Sequence, residues 1–93
     1  MTECTAGCLV RSLAGHDRGE LFIVLRADAD YFYLADGRLR TVEKPKKKKR
    51  RHVQISGHKS RQISESLAAG KCVRDEEIKY FIKCAVQGGK GNV

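Results

Sequence analysis

The spacing of hydrophobic residues changes once along the chain, close to residue 60. Before it, apolar residues occur in short runs or alternate with polar residues, which is typical of β-strands. After it they recur at the 3.6-residue period of an α-helix, at Ile63, Leu67, Ile78, Ile82, Ala85 and Val86. Five short strands joined by turns favour a small closed or half-closed barrel. The sequence therefore predicts a mainly β fold with a short α-helical C-terminal extension.

The strands are expected at residues 9–13, 21–25, 31–34, 38–41 and 52–55. Between the third and the fourth, Asp36-Gly37 favours a two-residue type I′ hairpin, because both central residues of that turn need a positive φ. The hairpin register separates a core face from an outer, basic-aromatic face. The core face holds Phe32, Leu34, Leu39 and Thr41, and the outer face holds Tyr31, Tyr33, Arg38 and Arg40.

A chain of 93 residues makes one domain. We divide it into a flexible N-terminus (1–7), a β-barrel (8–56) with a basic loop at 44–51, a helical extension (60–87) and a loose tail (88–93). A further loop is expected at residues 57–59. Within the extension, Gly70 is expected to end the first helix, Asp75 to cap the second, and Gly88-Gly89 to end it.

Positive charge is concentrated in one segment. The chain carries a formal net charge of +8, and seven of the eight residues from Lys44 to Arg51 are Lys or Arg. Outside this run, basic and acidic residues nearly balance. We expect the run to be an exposed loop that attracts a polyanion, either nucleic acid or an anionic membrane surface. Two other interpretations remain open: a solvated loop that keeps the protein soluble, and a nuclear import signal from Pro45 to Arg51.

Several classes of protein are disfavoured. No apolar stretch is long enough to span a bilayer, and the N-terminus lacks the pattern of a secretory signal. Cysteines without such a signal favour reduced thiols and a cytoplasmic location. Neither a phosphate-binding Gly-Lys-Ser/Thr loop nor a paired-histidine metal motif is present. We therefore predict a protein that is not an enzyme, with no cofactor, no small-molecule substrate and no membrane partner.

The cysteines permit one alternative. Cys4 and Cys8 have a spacing that zinc ligands use, whereas Cys72 and Cys84 lie too far apart to form a second pair of ligands. We interpret Cys72 and Cys84 as small buried apolar side chains. A zinc-stabilised adaptor protein remains the weaker hypothesis.

Residues 10–24, Val-Arg-Ser-Leu-Ala-Gly-His-Asp-Arg-Gly-Glu-Leu-Phe-Ile-Val, resemble a KOW motif. Gly19 matches the characteristic glycine of that family, and Gly15, Asp17 and Arg18 match its turn, whereas His16 stands where a basic residue is common. The continuation through Asp36-Gly37-Arg38 into the lysine run is similar to bacterial KOW-domain RNA-binding proteins related to the archaeal and eukaryotic large-subunit ribosomal protein number fourteen. The resemblance implies an SH3-like barrel that contacts RNA through the glycine turn and the basic loop.

The predicted function is therefore RNA binding, with ribosomal RNA or the ribosome as the first candidate partner. The basic loop would supply affinity, the glycine turn would position the protein, and Tyr33 would stack on an unpaired base. The alternative is an SH3-like protein-interaction module that binds an acidic partner. The predicted RNA-binding residues are Gly15, His16, Asp17, Arg18, Gly19, Tyr33, Arg38, Arg40, Lys44, Lys46, Lys47, Lys48, Lys49, Arg50 and Arg51.

Overall fold

Five antiparallel strands form one sheet in a computed structural model, which describes the backbone of residues 6–91 and the side chains of residues 6–86. The strands are β1 (Cys8–Ser12), β2 (Leu21–Ala27), β3 (Tyr31–Ala35), β4 (Lys46–Lys49) and β5 (Val53–Lys59). Two helices follow, α1 (Arg61–Ala68) and α2 (Asp75–Gly91). The order in the sheet is β4-β3-β2-β1-β5, so that β4 and β5 form its two edges. A single 3₁₀ turn, Arg50–His52, joins these two edges.

The inner strands are buried on both faces of the sheet. On one face, residues that all belong to strands form what we call the strand cluster: Cys8, Val10, Phe22, Val24, Phe32, Leu34 and Val53. On the other face, strand residues pack against the helical third in what we call the helix cluster: Leu9, Ile23, Ala35, Ile63, Val73 and Ile78. Burial on both faces explains why the apolar run at 21–25 shows no alternation. It also makes the helices part of the core.

The two helices begin at different kinds of signal. Ser60 caps α1 by accepting a hydrogen bond of 3.1 Å from the backbone N–H of Ile63, and the helix ends just before Gly70, as predicted. The α2 helix begins at Asp75 and carries three acidic residues in its first turn, where the helix dipole favours them. Asp75 is the first residue of the helix, and its carboxylate accepts the N–H of Val42 at 2.8 Å, so the predicted capping role of Asp75 is wrong and the side chain connects the helix to the preceding loop.

The C-terminal boundary differs from the prediction. Helix α2 continues through Gly88-Gly89 to Gly91, so the expected helix end at this pair is wrong. Glycine costs a helix roughly 1 kcal/mol per residue, which weakens a helix without terminating it. The loose tail predicted at 88–93 is therefore wrong for residues 88–91, and residues 92 and 93 lie outside the described residues.

The predicted hairpin at Asp36-Gly37 is wrong. Gly37 does have a positive φ of 79°. However, Oδ1 of Asp36 accepts the N–H groups of Arg38 and Arg40, at 2.8 and 2.9 Å, and so closes a local loop. The chain then runs without strand structure to residue 45, and Leu39, expected in the core, is 89% exposed. The partner of β3 is the lysine run, with the pairs Tyr31–Lys49, Phe32–Lys48, Tyr33–Lys47 and Leu34–Lys46.

Smaller differences concern the two ends of the predicted β segment (8–56) and the cysteines. Residues 57–59 belong to β5 and do not form the expected loop. Gly7, expected to be flexible, is buried and donates its N–H to the carbonyl of Val24 at 2.7 Å, whereas residues 1–5 lie outside the described residues. Cys72 and Cys84 are exposed, contrary to expectation, because one lies in the loop before α2 and the other on its solvent side.

Gly37 provides a test of how the loop docks on α2. A Cβ atom at Gly37 would collide with the backbone carbonyl of Asp75, whereas one at Gly57, whose φ is also positive, would meet open space. We expect Gly57→Ala to cost about 1 kcal/mol from backbone strain alone, and Gly37→Ala to cost at least about 2 kcal/mol more. Chemical denaturation measures both variants. Equal losses of the free energy of unfolding in the two variants would show that the close approach of Gly37 to Asp75 contributes nothing to the difference.

Candidate nucleic-acid interface

The lysine run forms an edge strand, so the expectation of a basic loop at 44–51 is wrong for residues 46–49. Residues directly opposite each other in an antiparallel pair share a face of the sheet. Lys46 and Lys48 therefore lie on the face of the strand cluster, and Lys47 and Lys49 lie on the opposite face with Tyr33 and Tyr31. The strand divides its four cations into two pairs with different surroundings.

The inward pair is held by the turn that follows β1. The Nζ of Lys48 lies 2.8 Å from the carbonyl oxygen of Ala14 and 3.1 Å from Oδ1 of Asp17, and the residue is only 8% exposed. The Nζ of Lys46 lies 2.9 Å from Oδ2 of the same carboxylate. Asp17 therefore forms ion pairs with two of the cations in the run and connects the glycine turn to the edge strand.

The glycine turn itself is built as the sequence predicts. Both Gly15 and Gly19 have positive φ, and Gly19 donates its N–H to the carbonyl of Ser12 at 2.8 Å. The hydroxyl of Ser12 lies 2.7 Å from Oδ1 of Asp17. Burial by itself raises the pKa of Asp17. Hydrogen bonds from Ser12, Lys46 and Lys48 outweigh burial, so the pKa of this carboxyl lies well below its ordinary value.

The other side of the sheet edge carries an outer face, which we define as Arg26, Tyr31, Tyr33, Lys47 and Lys49. The guanidinium of Arg26 lies 4.2 Å from the centre of the Tyr33 ring, and the ammonium of Lys47 lies 4.4 Å from that of Tyr31. Both are cation–π contacts. The predicted basic-aromatic face therefore exists, but its cations come from β2 and β4 and not from Arg38 and Arg40.

Asp28 fixes the turn beside the outer face. Its Oδ1 accepts the N–H groups of Tyr31 and Asp30, at 2.8 and 3.0 Å, and its Oδ2 accepts the hydroxyl of Tyr33 at 3.1 Å. The bond from the Tyr31 backbone contributes most to holding the pKa of Asp28 below its ordinary value. The hydroxyl of Tyr33 and one face of its ring are thus already engaged within the protein.

The two arginines after β4, Arg50 and Arg51, differ in their contacts with the rest of the protein. Arg50 donates from Nε to the carbonyl of Asp28 at 2.8 Å, and its guanidinium lies 4.6 Å from the centre of the Phe32 ring. Arg51 is exposed and lines a shallow concavity of about 410 Å³ together with Tyr31 and Lys49. This concavity continues the outer face toward the 3₁₀ turn.

A second concavity lies on the other side of β4, and we call it the turn concavity. It has a volume of about 420 Å³. The glycine turn contributes His16 and Asp17, the 36–40 loop contributes Arg38, Leu39 and Arg40, and β4 contributes Lys46. The structure thus brings the glycine turn, the basic strand and the two loop arginines together. Arg18 and Lys44 are exposed nearby in the chain but do not line this concavity.

Two features of the site were missed by sequence reasoning. Arg26 was not expected in the site because a bulge between Val24 and Arg26 shifts the register of β2 against β3. Asp17 forms an ion pair with Lys48, which lies 31 positions away in the chain, and no local pattern in the sequence signals that pair. The alternation of side chains along β4 could have been predicted only if four consecutive lysines had been recognised as a strand. The low β-propensity of lysine disfavours that assignment.

The described part of the chain holds neither a metal-binding cluster nor a helix suited to cross a membrane. Among residues 6–91, no cluster of three or more His, Cys, Asp or Glu side chains is arranged to hold a metal ion. Cys4, one half of the proposed zinc pair, lies outside the described residues. Neither described helix has the length and apolar character that a bilayer-spanning segment requires.

Comparison with known proteins places the chain in no family. No protein-family model matches its sequence, and no curated protein matches it either.

Asp17→Asn tests the connection between the turn and the edge strand. The variant leaves Lys48 buried without a carboxylate, so we expect it to lower the free energy of unfolding at pH 7 by about 3 kcal/mol. Because the folded-state pKa of Asp17 is depressed, its stabilisation is present above about pH 4 and is lost as the pH falls below that value. Denaturation of the wild type and of Asp17→Asn between about pH 7 and pH 2 should show that the difference between their free energies of unfolding becomes smaller as the pH falls.

The exposed Asp30 offers a matched control, because its carboxylate forms no ion pair with a described cation. Asp30→Asn should change stability by less than about 0.5 kcal/mol. An Asp17→Asn protein as stable as wild type at pH 7 would contradict the assigned role.

Proposed function

We propose that this protein is a cytoplasmic, non-enzymatic RNA-binding protein that contacts RNA through the surface around β4, displayed on an SH3-like barrel of the KOW type. One observation carries the proposal: within the described residues, five of the seven cations at 44–51 form no ion pair with a carboxylate. The five are Lys44, Lys47, Lys49, Arg50 and Arg51.

Barrel closure is supported by the connection between β4 and β5. In a flat five-stranded sheet these edges would lie about 19 Å apart, because neighbouring strands are separated by roughly 4.8 Å. Arg50–His52 is a three-residue 3₁₀ turn, which advances only about 6 Å. A sheet with such a connection must curl so that its edges approach each other. The strand cluster supports the same conclusion, since its members are buried although every one of them belongs to a strand.

The unpaired cations favour a polyanion as the ligand. Each Lys or Arg that neutralises a phosphate releases a condensed counterion, and about five such contacts give a salt slope of roughly −4. Lysine acts as a point charge and reads no base sequence. Recognition would therefore depend on the phosphate backbone and on the shape of the RNA.

The surroundings of the tyrosines refine this mechanism. Arg26 and Lys47 already cover the rings of Tyr33 and Tyr31, so these rings serve first to orient cations. Stacking of a base on Tyr33 would require Arg26 to move or the free ring face to be used. The proposal therefore assigns affinity to charge on the outer face. The resemblance of the glycine turn to a KOW motif makes ribosomal RNA the first candidate partner.

Edge protection is the competing explanation for these lysines. Charged residues on an edge strand prevent sheets from pairing edge to edge. That role accounts for cations on β4 but does not require the exposed Arg51 or Lys44, which lie outside the strand. The two explanations differ in what happens when the outward charges are removed.

The triple variant Lys47→Gln, Lys49→Gln, Arg51→Gln tests the proposal without disturbing the ion pairs of Asp17. We expect it to weaken binding to a structured RNA hairpin and to reduce the salt slope by about 2 to 3. Fluorescence anisotropy at several salt concentrations measures both quantities. Replacing Lys46 and Lys48 as well would mix loss of binding with loss of stability, because both contact Asp17.

A control variant removes exposed charge elsewhere. Arg61→Gln with Lys71→Gln should leave RNA binding close to that of wild type, since neither residue lines the interface. RNA binding that is unchanged in the triple variant, together with new self-association, would instead support edge protection. Partners that stay bound to the protein after nuclease treatment would favour the alternative of an acidic protein ligand.

A further inference from the structure

A groove of about 620 Å³ lies between α2 and the sheet. The aliphatic part of its lining, which we call its floor, is formed by Leu21 of β2 with Ile82 and Val86 of α2. Val86 is 42% exposed, so apolar surface in this groove is open to solvent. The volume is that of a pocket for one small organic ligand, a scale that suits one or two nucleotides and not a duplex.

Four cations surround this floor. Arg11 and Arg38 lie on the sheet side, and Lys79 and Lys83 lie one helical turn apart on α2. None of the four forms an ion pair with a carboxylate of the described chain. Arg11 is oriented by its hydrogen bond to the carbonyl of Gly19 at 2.8 Å. The groove therefore combines an apolar floor with a rim of positive charge.

The groove is continuous with the turn concavity. Glu20, Asp36 and Arg38 line both of them. A ligand that occupies the turn concavity beside Lys46 can therefore extend past Arg38 toward Lys83, and it passes the carboxylates of Glu20 and Asp36 at the junction. The Oδ1 of Asp36 is already engaged by two backbone N–H groups of its own loop.

We infer that this groove holds an unpaired segment of the same RNA, an inference that rests on the proposed function. The rim cations would meet its phosphates, and the aliphatic floor would cover the faces of its bases. Positively charged grooves with apolar platforms are how proteins follow single strands. Helix α2 would then be part of the RNA-binding surface as well as part of the core.

Glu20 favours RNA over an acidic peptide as the occupant. Its carboxylate lies at the junction of the groove and the turn concavity, where it repels phosphates and side-chain carboxylates alike. An unpaired base can instead donate an exocyclic amino group to a carboxylate. The mixture of four cations with the carboxylates of Glu20 and Asp36 therefore matches a nucleotide chain better than an acidic peptide.

The test uses an RNA hairpin with a single-stranded tail of about eight nucleotides and the same hairpin without the tail. Wild type should bind the tailed hairpin more tightly. The variant Lys79→Gln with Lys83→Gln should lose that advantage, with a loss of affinity on the order of tenfold and a salt slope reduced by about 1.4. Both lysines are exposed, so we expect the fold to be unaffected. Arg61→Gln with Lys71→Gln again serves as the matched control.

A second measurement locates the tail. Photoreactive uridines placed in the tail should crosslink to residues of α2 in wild type, and mass spectrometry identifies the crosslinked peptide. If the tail adds no affinity, or if the lysine variant behaves like the control, the inference is overturned while RNA binding through β4 stands. If wild type binds neither hairpin, both proposals fail. The inference would also be overturned if Lys79→Gln with Lys83→Gln weakened the binding of an acidic peptide and left the binding of the tailed hairpin unchanged.

Discussion

The ion pairs of Asp17 with Lys46 and Lys48 are the interaction on which the arrangement of this surface depends. Lys48 projects toward the strand cluster at the edge of the sheet, where an unpaired ammonium would cost several kcal/mol. The carboxylate of Asp17 and the carbonyl of Ala14 remove that cost. Because the partners belong to the turn after β1 and to β4, the same contacts place the glycine turn against the basic strand and set the position of Lys46 in the turn concavity.

Much of the fold follows from local patterns in the sequence. The first three strands and both helices lie close to where hydrophobic spacing predicts them. The prediction succeeds there because the burial of Phe22, Ile23 and Ile78 is signalled by apolar residues within a few positions of each. The glycine turn is equally local, because Gly15 and Gly19 supply the positive φ that it needs.

The segment from 36 to 49 could not be predicted because its structure is decided at long range. Asp36-Gly37 is a genuine turn signal, but Asp36 binds its own loop and Val42 binds Asp75, a residue 33 positions away. These contacts dock the loop on α2 and remove it from the sheet. The place beside β3 is then taken by four lysines, although lysine has a low preference for strands. Long-range contacts therefore outweigh the local turn signal. As a result, the residues of the site have different neighbours from those that the sequence predicts.

Strand structure also changes what the lysines can do. In a flexible loop, each cation would lose conformational freedom on binding, at about 0.5–1.5 kcal/mol per side chain. On β4 the backbone of Lys47 and Lys49 is already ordered, with Cα atoms about 6.7 Å apart along the strand, and Lys47 is oriented further by its contact with Tyr31. The alternation that turns Lys46 and Lys48 inward leaves this outward pair beyond reach of Asp17. The same pairing that stabilises the sheet therefore keeps two charges that form no ion pair with a carboxylate of the described residues facing solvent, on an ordered backbone.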